Sequence, residues 1–344
     1  MRVASGLIIS MLDHCRIGSI IMLLTLVLLL TLTPVAIASD TTIITTESEL
    51  RYAVQQPHHD QTLIVDGVVN ITDYIPIRSR ITIGGSGTIT VSDAHRHFHV
   101  GHNGELTLTG EVTLTRAADY SGLGGGIAVN GGVLNINGGA IVNNHAISGA
   151  GGWVHYSGGG IFVFNNGLVT MRNGRISDNT AQHGGGLAVA NAQFTMSGGI
   201  IDNNHATISG GGVSLMPDDT YGFFCTFHMY GGQISNNSAA FNGGGIYSFW
   251  GSLRLQNGEI SSNTASGHGG IFITTYTILR TGANIRIINN SPINAHDTQP
   301  TFFAWFITPD IYRFVAVFVL AIIGTVYTLK KQPATDSKKP STTV

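Results

Sequence analysis

Apolar residues in this chain recur on the rhythm of short strands. After a Gly-Gly doublet an aliphatic residue stands at Ile127, Ile161, Leu187, Val213, Ile246 and Ile271. A second apolar slot follows at Leu134, Val169, Phe194, Phe227 and Leu253, and a third at Ile141, Ile176, Ile201, Ile234 and Ile260, with Ile287 continuing it. Second and third slots are always seven residues apart, and one period takes 25 to 26 residues where nothing is inserted. Within each slot the apolar residues alternate, as in Ile127 and Val129 or Phe194 and Met196, which is the period-two signature of a strand. The gaps are too short for helical crossovers. Three strands per period, wound in one direction, predict an all-β fold: a parallel β-solenoid whose like positions stack at about 4.8 Å per turn. One turn cannot bury its own faces, so the turns must come in series.

Polar positions carry the same period. Each third slot opens an Ile-x-x-Asn-x-Ala segment, which places Asn144, Asn179, Asn204, Asn237 and Asn263 in one column, with Asn290 extending it. A buried amide is costly unless bonded. Stacked at the turn spacing, each asparagine can bond its neighbour and nearby carbonyls, as in the amide ladders of stacked sheets. These six residues are therefore expected to be structural. The glycines fit tight corners, where backbones approach closely. Ahead of the repeats, residues 46–56 carry Glu47, Glu49, Leu50, Tyr52, Ala53 and Val54 at roughly helical spacing and predict a capping helix. Strands at 62–65, 81–83 and 106–108 read as the first, looser turns of the same solenoid.

Both ends of the chain point to a membrane. Arg2 and Arg16 precede an apolar stretch at 20–32, and Ala36-Ile37-Ala38 forms a small-x-small cleavage site before Ser39. Residues 1–38 are thus expected to be a signal peptide, with translation starting at Met1 or Met11; an uncleaved anchor is the alternative. At the other end 314–329 is uncharged and 311–329 is long enough, at about 1.5 Å per residue, to serve as one transmembrane helix. Phe302, Phe303, Trp305, Phe306 and Tyr312 would form an aromatic belt, and Lys330 and Lys331 place the tail at 330–344 in the cytoplasm. The expected organisation is signal peptide (1–38), cap and first turns (39–123), β-helix repeats (124–299), juxtamembrane linker (300–310), transmembrane helix (311–329) and cytoplasmic tail (330–344). The bulk of the protein then lies outside the cell membrane as a single-pass protein.

Composition removes several alternatives. With 17 Lys and Arg against 19 Asp and Glu, and no basic run, the chain has no field to attract nucleic acid. Abundant apolar residues and a net charge of -2 exclude a disordered chain. Of two cysteines, Cys15 falls in the segment expected to be removed, so no internal disulfide or cysteine zinc site is predicted, and Cys225 is left to pair with another chain.

Gly-Gly-Gly-Ile at 124–127 together with Ile-x-x-Asn-x-Ala resembles the paired GGAI and FxxN repeats of chlamydial polymorphic outer-membrane proteins and related adhesin-like β-helix proteins. The resemblance covers about 124–290, and less closely 42–123. Ile replaces the family's Phe, Gly usually replaces the Ala of GGAI, and one apolar helix stands where that family has a membrane β-barrel. Secretion through such a barrel is not implied. What the resemblance implies is a right-handed parallel β-helix of pectin-lyase-like fold, displayed on a surface, with adhesion as its role.

Carbohydrate-cleaving enzymes share that scaffold, and their chemistry needs clustered acids or Ca²⁺ held by them. Between residues 124 and 290 the five acids are scattered: Asp178, Asp202, Asp218, Asp219 and Glu259. No catalytic residue and no cofactor is expected. His95, His97 and His99 alternate along one predicted strand and would share a face, the one arrangement with metal-ligand character. Such a trio more often forms an exposed polar face, and no metal is expected.

The stronger signal is aromatic. Residues one place after the first slot point outward, and Phe162, Tyr247 and Phe272 stand there. Phe164, Phe249 and Trp250 lie further along the turn, while two insertions bring Trp153 and Tyr156, then Tyr221, Phe223 and Phe224. These residues are the candidate binding face for a glycan or a surface-protein partner, because exposed aromatics desolvate well and stack on sugars; the alternative is that the inserted loops fold onto the aromatics and simply cover the solenoid wall. The expected function is a membrane-anchored, non-catalytic, adhesin-like surface protein. The alternatives are a surface polysaccharide lyase or glycoside hydrolase, and a purely structural envelope protein.

Overall fold

The computed structural model of the chain describes residues 41–56, 61–91, 95–116, 125–146, 158–217 and 225–296. The predicted signal peptide, transmembrane helix and tail lie outside these, as do the inserted segments 147–157 and 218–224. Among the described residues no helix is long and apolar enough to cross a membrane.

Alternating apolar residues have produced the strands that periodicity predicts, and every pairing between neighbouring turns is parallel. Twenty-four strands join into one sheet, nearly closed round an axis, with three walls to the turn. In the first wall Ile75, Phe98, Ile127, Ile161, Leu187, Val213, Ile246 and Ile271 stand in register. The second wall aligns Ile81, Leu106, Leu134, Val169, Phe194, Phe227 and Leu253. Ile89, Leu114, Ile141, Ile176, Ile201, Ile234, Ile260 and Ile287 form the third wall's column. Except for Ile287, at the last turn, these side chains are at most 1% exposed, so the three columns are the core. Removing them from water is the main drive for winding the chain this way.

A fourth strand, two to five residues long, was not predicted in five of the turns. His145–Ala146, Thr180–His183, His205–Ser209, Ser238–Ala239 and Thr264–Ala265 form a separate small sheet. Its inner column is the alanine of each Ile-x-x-Asn-x-Ala segment.

Between the third wall and this small sheet runs the asparagine ladder. Asn179 Nδ2 donates to Asn204 Oδ1 at 2.9 Å and to Ile141 O at 2.9 Å, and the Asn179 backbone N–H donates to the same Asn204 Oδ1 at 3.0 Å. Asn204, Asn237 and Asn263 repeat the pattern one turn on each time. Every bond from one asparagine to the next points toward the C-terminal end, while the second Nδ2 hydrogen returns to a carbonyl of the preceding turn. Asn144 starts the series, with Nδ2 reaching Val142 O, Leu114 O and Asn179 Oδ1. Asn290 closes it on Asn294, which supplies the last acceptor.

Two local features explain the residues that flank each ladder position. The residue just before each asparagine has left-handed backbone: Asn143, Asp178, Asn203, Asn236, Ser262 and Asn289, with φ between 53° and 58°. Short polar side chains tolerate that region best after glycine. The Gly-Gly doublets answer to close approach instead: a Cβ on Gly186 would lie 2.7 Å from the Gly212 carbonyl oxygen and 3.0 Å from Asn204 Nδ2. The ladder and the glycine corner thus require each other.

The N-terminal end of the solenoid is closed by α1 (Glu47–Gln55), where Thr46 and Glu49 make a reciprocal capping box. Leu50, Ala53 and Val54 bury its inner face against the core. Glu47 accepts from the Thr72 N–H at 3.0 Å, and Arg51 donates to Asp73 O and Tyr74 O, which fastens the helix to the first turn.

Candidate binding face

The outward positions of the first wall form a column of Ala128, Phe162, Ala188, Ser214, Tyr247 and Phe272. Strand alternation sets this direction, because Ile161 and Val163 on either side of Phe162 point into the core. Direction did not bring exposure for the first pair. Phe162 is 1% and Phe164 6% exposed, and their rings stack at 4.6 Å in a second apolar cluster with Ala128, Ala188 and Ala190. Alanines on the adjacent turns give the rings apolar flanks to pack against. Phe162 and Phe164 are therefore buried residues of the outer wall and not part of an exposed patch. Trp153, Tyr156, Tyr221, Phe223 and Phe224 lie outside the described residues.

Further along the axis the aromatics do reach the surface. Tyr247 and Phe272 stack at 5.6 Å with planes 5° apart, both half-buried, and His268 lies 5.0 Å from Phe272. Burial pushes the Tyr247 hydroxyl up from the ordinary tyrosine range. At the corner between first and second walls Trp250 stacks on Tyr276 at 4.6 Å and 10°, and Phe249 tilts against the same ring at 6.3 Å. Phe249 is 38% and Tyr276 55% exposed, making this the open end of the aromatic surface. The backbone beneath is tied down. Ser248 Oγ and Thr277 Oγ1 share a hydrogen bond of 2.9 Å, Thr277 Oγ1 donates to Ser248 O, and Thr274 Oγ1 donates to Phe249 O. Gly251, at φ 132°, lets the chain turn where a Cβ would strike Cys225 O at 2.1 Å.

Tyr276 was not anticipated from the sequence, yet it follows Trp250 by 26 residues, which is one period. Cys225 is buried beneath this corner, its thiol donating to Val189 O and Met216 O, and burial pushes it up to about 11. A thiol so placed cannot cross-link chains, contrary to the sequence expectation.

The three histidines proposed to share a face do not. Only His99 stands outward in a strand (Phe98–Val100), half-buried against the Tyr74 ring at 6.0 Å; burial lowers its titration, and Arg96 and Arg78 lower it further. His97 precedes that strand in the turn and is fully buried, with Nε2 at 2.8 Å from Thr115 O. Burial pushes it down to about 4. His95 pairs with Asp73 at 3.2 Å. Among the described residues no three His, Cys, Asp or Glu side chains are arranged to hold a metal ion.

The described acids of the repeat region are tied to individual structural tasks. Asp202 takes both arms of Arg175, at 2.9 and 2.5 Å, and Glu259 accepts from Arg286 at 2.8 Å and Ser261 at 2.7 Å. Asp178 is one of the left-handed corner residues. Asp218 and Asp219 lie outside the described residues. No protein family, curated protein or solved structure matches the chain.

Proposed function

We propose that this chain is a membrane-anchored surface protein whose β-solenoid presents a non-catalytic aromatic binding face to a glycan or a surface-protein partner. In this reading the winding is right-handed, as parallel crossovers overwhelmingly are, and the fold is of the pectin-lyase-like, adhesin-like kind that the repeat motif suggests. Residues 1–38 direct export, 311–329 anchor the chain, and 330–344 remain in the cytoplasm. The observation that carries the reading is the corner of Phe249, Trp250 and Tyr276, where aromatic surface is left in water on a backbone held by paired hydroxyls. Such rings bring large contact area at little loss of conformational freedom.

The test is a screen of the full-length chain, displayed on cells, against a glycan panel and host-cell surfaces, repeated with Trp250→Ala and Tyr276→Ala. Removing a stacking ring is expected to weaken binding by about tenfold or more, equivalent to about 1.4 kcal/mol. Binding untouched by both substitutions overturns the assignment of this corner. Turnover of an acidic polysaccharide, with or without Ca²⁺, overturns the non-catalytic reading, and a chain that binds nothing in the screen points to a structural envelope role.

A further inference from the structure

Charge on the second wall changes along the axis. One outward column of that wall reads Thr82, Thr107, Asn135, Thr170, Thr195, His228, Arg254 and Arg280, each in register with the next. The column is neutral up to Thr195 and then carries a histidine followed by two arginines. Elsewhere the solenoid sets opposite charges side by side. On this same wall Arg80 meets Glu105 at 3.0 Å, and on the third wall Arg175 meets Asp202 and Arg286 meets Glu259. Among the described residues neither Arg254 nor Arg280 has an acidic partner. After Glu105 no described strand of the second wall contains an acid at all.

Stacking one arginine on another works against the fold. Like charges directly opposite on a sheet repel, and the spacing of about 4.8 Å between turns lies well inside the screening length of about 10 Å at 0.1 M salt. His228 registers the same field: burial lowers its titration, and Arg254 lowers it further. A local arrangement that breaks the charge rule kept elsewhere in the molecule points to function.

The arginines share their strands with the aromatic corner. Trp250, Ser252 and Arg254 face outward together, because Leu253 and Leu255 between and beyond them are wholly buried. Tyr276, Ile278 and Arg280 repeat them one turn on, all three exposed. Four residues of extended strand put the arginine pair about 13 Å from the stacked rings. Tyr230 adds another exposed ring beside the column, edge-on to His228 at 6.1 Å. The guanidinium fork holds carboxylates and similar oxyanions at two points, which an ammonium does not.

We propose that Arg254 and Arg280 bind the acidic groups of an anionic glycan whose sugars pack on Trp250 and Tyr276. The ligand of this face then carries carboxylates or sulfates. The inference rests on the binding reading given above and narrows its ligand class. The occupant is a glycan and not an acidic protein segment because ring surface for a sugar lies on the same strands as the charge, and an acidic sugar chain partners both.

The full-length chain, displayed on cells, is titrated with a polyuronate, the same polymer with its carboxylates esterified, a sulfated galactan and its desulfated form. At low salt the acidic member of each pair should bind at least about tenfold more tightly than the neutral one, and the gap should narrow as salt is raised. Arg254→Gln combined with Arg280→Gln should close the gap and leave binding of the neutral polymers as it was. Arg254→Lys keeps the charge, serves if the double variant does not fold, and should cost at least about threefold for the acidic polymers alone. Equal binding of acidic and neutral partners, or a gap that survives the double variant, overturns the ligand class and leaves the aromatic face standing. Polyglutamate bound as tightly as the acidic polymers and unaffected by Trp250→Ala overturns it as well, since charge then acts without sugar recognition. Failure of all four polymers to bind also overturns it, while the wider screen described above judges the aromatic face separately.

Discussion

Replacing Asn204 with alanine tests the ladder, because the effect depends on position within a directional chain. Asn204 Oδ1 accepts from the backbone N–H and the Nδ2 of Asn179, and its own Nδ2 reaches Ile176 O and Asn237 Oδ1. Asn204→Ala removes four bonds and strands the buried Asn179 N–H, which no water can reach. One orphaned buried donor costs about 1–3 kcal/mol, and with the other lost partners and the vacated space the total comes to about 3–6 kcal/mol. Asn144→Ala should cost much less, about 1–2 kcal/mol. Asn144 Oδ1 accepts nothing, so its removal strands no N–H of a preceding turn, and its own backbone N–H keeps Asn179 Oδ1. Urea denaturation of the full-length variants measures the difference, with hydrogen exchange at the amide of residue 179 as the local reporter. Equal losses for Asn144→Ala and Asn204→Ala, or a loss below about 1 kcal/mol for Asn204→Ala, would refute the directional account.

Further outcomes follow from single sites. His97 titrates near 6.5 unfolded and about 4 folded, so between those values the unfolded chain takes up a proton that the folded chain refuses. Stability is then full above about pH 6.5 and declines toward pH 4 by up to about 3 kcal/mol. Urea midpoints measured across that window should fall less steeply for His97→Gln, and an unchanged slope would contradict the assignment. Cys225, raised from 9.0 to about 11, holds about a hundredfold less thiolate at pH 8 than an ordinary thiol. Native protein should resist a maleimide that labels the unfolded chain quickly; fast native labelling would show the site to be open. Ser262 keeps φ at 56°, where a Cβ is strained, so Ser262→Gly should stabilise by about 0.5–1 kcal/mol in a thermal melt, and destabilisation would argue against strain there.

The register of the walls could be read from the sequence because two independent periods agree in it. Ile176, Ile201 and Ile234 mark the turn, and alternation within each strand marks the face, so that a slip of one residue would turn the whole core outward. The asparagine column was legible for a similar reason: buried amides at a fixed repeat position have each other as partners. Shorter-range features left less trace. Strands of two residues, such as His145–Ala146, are below the length at which alternation means anything. Alternation also gives direction without cover, which is why Phe162 could be turned outward from the sequence while its burial could not be decided there. His97 was assigned a strand face from spacing alone, but a turn immediately before Phe98–Val100 swings it inward. Tyr276 sits at the right period after Trp250, hidden in a turn whose second and third slots, Leu279 and Ile287, are eight residues apart where the repeats from Leu134 to Ile260 use seven.

A ladder whose asparagine-to-asparagine bonds all point one way must begin on an acceptor that receives nothing, and the way the chain treats that end links two of these predictions. In the turn before Asn144 the corner position next to Gly126 is held by His97, whose backbone N–H donates to Gly126 O as Gly126 in turn donates to Gly159 O. Its imidazole enters from the corner side and donates from Nε2 to Thr115 O. Thr115 is the register partner of Val142, whose carbonyl takes the Asn144 amide one turn later. The ring therefore serves the carbonyl position that asparagines serve at the two ends of the ladder, at Val142 O and Ile288 O. A glycine there would leave that carbonyl unserved. The arrangement leaves two buried atoms without partners, Asn144 Oδ1 and His97 Nδ1, and both are lone pairs. A lost acceptor bond is the less severe form of that penalty, since carbonyl oxygens go under-satisfied more readily than N–H groups do. Holding His97 neutral is what keeps Nδ1 a lone pair, and a proton on it would add a buried charge beside Arg116, which already acts against that charge. The acid sensitivity of His97 and the small cost of Asn144→Ala thus have one origin. They separate cleanly in one experiment: if His97→Gln removes the acid slope while Asn144→Ala costs as much as Asn204→Ala, the histidine plug stands and the one-way ladder does not.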